Sequence, residues 1–169
     1  MLYEVLSILK SMNQITRDEF AKLLKDHTIS RRLRNSLRYV PEEITHWSER
    51  EFLAVTDKAG NEGVLLWGAK VLPFVVAKRT ANAKGRVEAI ICDFCATWQR
   101  GTNSATITFK KDSKTTVSYL VCADLECSLH VRGLTKASSL SRTQLREQIT
   151  STQRIERLGQ RLHKTLDIL

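Results

Sequence analysis

Four cysteines in two close pairs set the terms on which this chain can fold. They stand as Cys92-x-x-Cys95 and Cys122-x4-Cys127, with 26 residues between the pairs and no other cysteine in 169 residues. A tight turn carrying CxxC delivers two thiolates at once, and a second pair completes a tetrahedral set around one Zn²⁺ at ~2.3 Å per sulfur. Two disulfides, or two buried pairs of free thiols, are the alternatives. The opening run Leu2 to Leu9 contains Glu4 and lacks a basic start and a small-residue cleavage site, so it makes a poor signal peptide. The chain therefore reads as cytoplasmic, a setting in which disulfides are rare. Clustering within residues 92–127 also argues against four unrelated core thiols. The expected cofactor is one structural Zn²⁺ on Cys92, Cys95, Cys122 and Cys127. His130, three residues past Cys127, is either a substitute ligand or a plain histidine on a helix surface, and the second reading is adopted.

The residues between the pairs reinforce the metal reading. Ala105 to Lys111 and Thr115 to Val121 alternate and are rich in β-branched side chains, with the turn-like Asp112-Ser113-Lys114 between them; that predicts a hairpin. Knuckle, hairpin, then a second pair near the start of a helix is the order of a treble clef. In so small a unit the metal replaces a hydrophobic core, so metal binding and folding should be one event.

On either side the patterning predicts an α+β chain. Leu2, Val5, Leu6, Leu9 and Met12 form a stripe at helical spacing, and Thr16-x-x-Glu19 is a capping box before Phe20, Leu23 and Leu24. A third helix follows Ser30, with Leu33 and Leu37 inward and Arg31, Arg32, Arg34 and Arg38 elsewhere, ending before Pro41. Those arginines suit either phosphate contacts with rRNA or a solvated helix face. Phe52–Thr56 and Gly63–Trp67 flank the turn Asp57 to Asn61, and Val71 to Ala77 and Val87 to Ile91 are expected to extend the sheet, Pro73 marking an edge or a bulge. Trp47, Trp67 and Phe74 read as core, and Thr80 to Gly85 as a loop or linker. Ser141-x-x-Gln144 predicts the start of one long C-terminal amphipathic helix, in which Leu145, Ile149, Ile155, Leu158, Leu162, Leu166 and Leu169 recur at spacings of three, four or six.

Composition narrows the function classes. Apolar residues make 42% and charged ones 27%, an ordinary globular balance. The longest nearly apolar stretch, 64–77, already contains Lys70 and Pro73 and falls short of the roughly 18–20 residues a bilayer core demands. The net charge of +9 is concentrated at the C-terminal end, where residues 129–169 hold 8 Lys and Arg against 3 Asp and Glu. Such an excess favours an acidic partner, be it nucleic acid, a ribosomal surface or an acidic protein. There is no Gly-rich phosphate loop, no HExxH motif and no Cys–His pair left once four thiols hold metal, and four cysteines close the zinc shell. Enzyme activity is not expected.

Cys92-Asp93-Phe94-Cys95, Tyr119-Leu120-Val121-Cys122 and Cys122-Ala123-Asp124-Leu125-Glu126-Cys127-Ser128-Leu129-His130-Val131-Arg132-Gly133 closely resemble the C-terminal treble-clef zinc finger of the FBP-type family. That family includes elongation factor G-binding proteins of the fusidic-acid-resistance type. The resemblance covers about residues 47–169, starting at Trp47 and Phe52 to Asp57, and its specificity lies in the cysteine spacing combined with Asp124, Ser128, Arg132 and Gly133. It implies a non-catalytic translation protein with structural zinc, whose partner is elongation factor G and, through it, the ribosome. The N-terminal part and the zinc hairpin are shorter than in the resistance-type members, so the chain is similar to the compact members and drug resistance is not carried over. The expected organisation is an N-terminal helical segment, 1–46, and a sheet plus treble-clef domain with C-terminal helix, 47–169.

Two binding readings follow. In the first, Phe94 on the knuckle, Tyr119 and Arg132 beside the second pair, and Arg146, Arg154, Arg157 and Arg161 on the C-terminal helix form the docking surface for elongation factor G, aromatic and arginine side chains being the usual anchors of interfaces. The alternative packs Tyr119 in the hairpin and sets Arg132 on Asp124 or Asp93. In the second, a zinc-stabilised RNA-binding protein sets Arg31 to Arg38 and the C-terminal helix on phosphates, without an aromatic stacking stripe to help.

Overall fold

The computed structural model describes residues 12–169; of the stripe Leu2 to Met12, all but Met12 lies outside the described residues, and Met12 is partly buried against the core. Helix α1 (Arg17–Asp26) opens on the predicted capping box, Glu19 N–H donating to Thr16 Oγ1 at 3.2 Å and Thr16 N–H to Glu19 Oε2 at 2.7 Å. Helix α2 (Arg31–Ser36) starts at Ser30, whose Oγ accepts from Leu33 N–H. Phe20, Leu24 and Leu33 are buried.

Five strands form one antiparallel sheet in the order β1-β2-β3-β6-β7: β1 (Phe52–Thr56), β2 (Glu62–Trp67), β3 (Lys70–Lys78), β6 (Ser104–Lys110) and β7 (Thr116–Cys122). The β1–β2 turn is the one the sequence marks, with Asp57 Oδ1 accepting from Asn61 N–H at 2.7 Å and Gly60 at φ +69°. Gly63 allows the sheet to pack tightly: a Cβ there would stand 2.4 Å from Val55 O and 2.9 Å from the Phe74 ring. Pro73 lies in the middle strand, not in an edge strand. It pairs with Val64 on β2, while β6 joins β3 only from Phe74 onward, so its missing N–H falls where β3 has a neighbour on one side alone. The expected strand 87–91 does not extend this sheet. Only Ile90–Ile91 (β4) is strand, and it pairs with Trp98–Gln99 (β5) in a separate two-stranded ribbon.

The sheet separates two cores. On one face, Leu53, Val55, Val64, Leu66 and Val71 pack against Phe20, Leu24, Ile29 and Leu33 of the N-terminal helices. On the other, Phe52, Leu65, Phe74, Ile107 and Phe109 meet the four cysteines and Leu158, Leu162 and Leu166. Trp67 packs at the edge of this second core and Trp47 beside the first, both partly buried.

The C-terminal segment is two helices, where the sequence suggests one. Helix α3 (Cys127–Arg132) is followed by α4 (Lys136–Leu145), which stops at Arg146 in the left-handed region (φ +51°), and by α5 (Ser151–Leu166). Ser141 sits inside α4 and accepts from Trp98 N–H at 2.9 Å. The capping box belongs to Thr150 and Gln153. The apolar pattern does not record this break, because Leu145 and Ile149 keep a helical spacing of four across it. Among the described residues no helix is long and apolar enough to cross a membrane.

Candidate metal centre

Three elements bring four thiols together. The β4–β5 ribbon bends into a knuckle at Cys92 to Thr97, closed by Ala96 N–H to Cys92 O at 2.9 Å and Cys92 N–H to Thr97 O at 2.9 Å. Cys122 ends β7, and Cys127 begins α3. Both loops need a left-handed residue that is not glycine, Ala96 (φ +56°) and Leu125 (φ +55°). All four cysteines are 0% exposed. Their sulfurs lie within 4.8 Å of one another, with separations of 3.7 Å for Cys92–Cys127, 3.6 Å for Cys95–Cys122 and 3.8 Å for Cys122–Cys127. A tetrahedron with Zn–S bonds of ~2.3 Å has S–S edges of ~3.8 Å, whereas a disulfide needs ~2.05 Å. The observed spacing is that of zinc ligands, and the site is a closed Cys₄ centre for one structural Zn²⁺.

The acid–base state of the thiols fits a metal. Burial disfavours charge on Cys95, yet hydrogen bonds from the other three cysteines and His130 hold it well below the ordinary thiol range. Burial pushes Cys122 up, and Cys127 is pushed up by its sulfur neighbours. A cage of crowded sulfurs cannot carry several negative charges unaided, so Zn²⁺ must displace protons as it binds.

A polar chain, buried at Thr97, Gln99 and His130 and reaching the surface at Asp124, supports the ligands. Thr97 Oγ1 lies 2.8 Å from Cys95 Sγ; Gln99 Nε2 donates to Thr97 Oγ1 at 2.8 Å, and Asn103 Nδ2 donates to Gln99 Oε1 and to Asp124 Oδ2. His130 closes this chain, with Nε2 3.4 Å from Asp124 Oδ2 and Nδ1 3.4 Å from Gln99 Nε2. It is 1% exposed, which corrects its reading as a surface histidine. Burial lowers its pKa, but Asp124 and Cys95 outweigh burial and raise it to about 10. The sequence signal for this role was its position one helical turn past Cys127.

The residues expected at the partner surface are mostly turned inward. Phe94 is 0% exposed, set edge-on to Phe52 at 6.0 Å and tilted on Tyr119 at 5.7 Å, because the knuckle folds onto the sheet. The half-buried Tyr119 donates its hydroxyl to Thr165 O at 3.0 Å. Arg132 holds Glu51, not Asp124 or Asp93, through Nη1 at 3.1 Å and Nη2 at 2.6 Å. Arg154 is 8% exposed and donates to Val131 O, Ile149 O and Ser151 Oγ. Arg157 forms a two-pronged pair with Glu147, and Arg161 reaches the knuckle carbonyl of Asp93 at 3.1 Å. Only Arg146 is exposed.

Sequence reasoning missed a surface feature beside the finger. Trp98, Arg100, Asn103, Lys136 and Leu140 line a groove of about 350 Å³ between β5 and the start of α4. A tryptophan next to the knuckle with a cation two residues on was the available signal.

No curated protein and no solved structure matches the chain. The model of the FBP C-terminal treble-clef zinc-finger family matches residues 29–168, so the match takes in α2, the whole sheet and the Cys₄ centre. The chain belongs to this family.

Proposed function

We propose that this zinc protein is a non-catalytic binding module that engages translation elongation factor G and tunes its turnover on the ribosome. Membership of the FBP-type family carries the reading, and the four cysteines of its treble clef are buried together here. A closed shell of four cysteines leaves the metal no open position for substrate, so the finger acts by presenting a surface. With Phe94, Tyr119, Arg132, Arg154, Arg157 and Arg161 engaged inside the fold, the contacts fall to the groove of Trp98, Arg100 and Lys136 and to the outer side of α4 with Arg146. A half-buried tryptophan beside two exposed cations is the composition that anchors interfaces.

The test is titration of purified elongation factor G with the zinc-loaded protein, with and without ribonuclease, followed by ribosome-dependent GTP turnover. Arg100→Glu with Lys136→Glu should weaken binding while zinc content stays intact. No complex at micromolar concentration and low salt removes the reading. The exposed Arg100 next to Trp98 favours RNA as the second reading, and a complex that disappears with ribonuclease selects it.

A further inference from the structure

The arginine run of α2 has a second face that the finger does not use. Arg32 is answered by Glu62 at 2.8 Å and Arg38 by Glu43 at 2.8 Å, so half of the run is spent on the chain's own carboxylates. Arg31 and Arg34, one turn apart, have no hydrogen-bond or ion-pair partner for their side chains among the described residues. Both face a groove of about 370 Å³ between α1 and α2. Its floor is apolar, with Ala21 exposed and Leu37 half-buried, backed by the core residues Phe20 and Leu24; Lys25 joins Arg31 and Arg34 on the rim, and no carboxylate lines it. The one other rim cation, Arg17, is paired with Glu42. The helix accounts for Arg34, which stands in the last turn of α2, but not for Arg31, which stands in the first turn, the end of a helix that disfavours cations.

We propose that this groove docks an acidic amphipathic helix of a partner protein. Its apolar side chains enter between α1 and α2, and its carboxylates meet Arg31, Arg34 and Lys25. Helix-in-groove recognition needs an apolar trough and a rim of complementary charge, and both are present. The floor favours protein over nucleic acid: Phe20 is 4% exposed, its ring stacked on Tyr39 with centroids 4.1 Å apart, and Tyr39 is fixed through its hydroxyl to Ile15 O at 2.6 Å. The Phe20 ring has no face to offer a base, and what the floor exposes is the aliphatic Ala21 and Leu37, whereas base stacking on aromatic rings is what sequence-tolerant single-strand binding uses. The inference rests on residues outside the finger and stands apart from the elongation factor G reading.

The probe is a fluorescein-labelled synthetic helix with leucine at i, i+4 and i+7 and glutamate around them, followed by anisotropy against the full zinc-loaded chain. Comparators are the same peptide with lysine for glutamate and a labelled oligouridine. The acidic peptide should bind, and R31E/R34E should weaken it by about tenfold or more, as loss of two facing cations with charge reversal implies. Ala21→Trp, which fills the trough from an exposed position without touching charge, should weaken it as well, with zinc content and melting temperature unchanged in both variants. Failure of the acidic peptide to bind at low salt overturns the proposal. Binding that survives Ala21→Trp also overturns it, since the attraction would then be charge alone. So does oligouridine binding that R31E/R34E abolishes while the peptide stays unbound, or a dimer in sedimentation that R31E/R34E dissolves, which would make the occupant RNA or a second copy of this chain.

Discussion

Arg132 and Glu51 form the buried ion pair whose disruption tests the architecture most directly. The side chain of Glu51 is 5% exposed and that of Arg132 18%, and the pair ties the last turn of α3 to the strand entering the sheet, 81 positions apart. Beside it, Ser128 Oγ accepts from Glu51 N–H at 3.1 Å, so Glu51 is held through both its backbone and its side chain. Arg132→Ala leaves a carboxylate in this site without its two-pronged cation. Removing one partner of such a pair costs about 3–5 kcal/mol, whereas replacing both by apolar residues of similar size is close to neutral. For a chain of this length each kcal/mol lowers Tm by about 2–4 °C, so Arg132→Ala should melt roughly 6–20 °C below the parent. Glu51→Leu with Arg132→Leu should recover most of that loss, giving a coupling energy of at least about 2 kcal/mol in a double-mutant cycle. Denaturant and thermal unfolding of zinc-saturated protein measure all four corners. A cost under about 1 kcal/mol for Arg132→Ala, or a double variant that loses the sum of the two singles, refutes the assignment of Arg132 to the core junction.

Other expectations follow from the same geometry. Purified, reduced protein should contain one zinc per chain; Cys122→Ser should lose it, and metal affinity by chelator competition should fall as pH falls, because Cys122 and Cys127 are pushed up and must shed protons to bind. Thr97→Val removes the hydroxyl 2.8 Å from Cys95 Sγ and should weaken zinc by about 10–100-fold in the same assay, as loss of a supporting partner does. Gly63→Ala places a Cβ 2.4 Å from Val55 O and should cost about 1–3 kcal/mol in denaturant unfolding. Leu162→Ala empties a site that is 0% exposed, with an expected cost of about 2–5 kcal/mol by the same measurement. Chelation should remove hydrogen-exchange protection from α5 before β1, β2 and α1.

What the sequence reveals here is what short range decides. The cysteine spacing, the Thr16 and Glu19 capping box, the Asp57 turn and the zinc hairpin are each settled by residues a few positions apart, and the hairpin strands land within one residue of their pattern. Long-range acceptors decide the rest. Arg154, Arg157 and Arg161 read as a solvated cationic face because the sequence displays their charge and hides Val131 O, Glu147 and the knuckle carbonyls that receive them. Phe94 reads as exposed because a knuckle is small, and nothing local records that Phe52 and Tyr119 come to meet it. Ser141 and Thr150 both precede a Gln by three residues. The choice between them falls to Ser141 Oγ taking the Trp98 amide as its partner, a contact across 43 positions.

The zinc centre belongs to the larger of two cores, and that placement governs what its loss can do. A free-standing finger would unfold alone, because metal is its only core. Here the four cysteines pack in one cluster with Phe52, Phe109 and Leu158, Leu162 and Leu166 of α5, and Arg161 binds the knuckle backbone from that helix. Without Zn²⁺ the sulfurs repel or take up protons, the knuckle loosens, and α5 loses both its apolar seat and its carbonyl partners together. The opposite core needs none of this: Leu53, Val55, Val64 and Leu66 are held by Phe20, Leu24 and Leu33 on the other side of the same strands. The sheet therefore divides stability into a metal-dependent half bearing the finger surface and a metal-independent half bearing the α1–α2 groove. A partner seated on the finger senses zinc occupancy, and one seated in the groove does not.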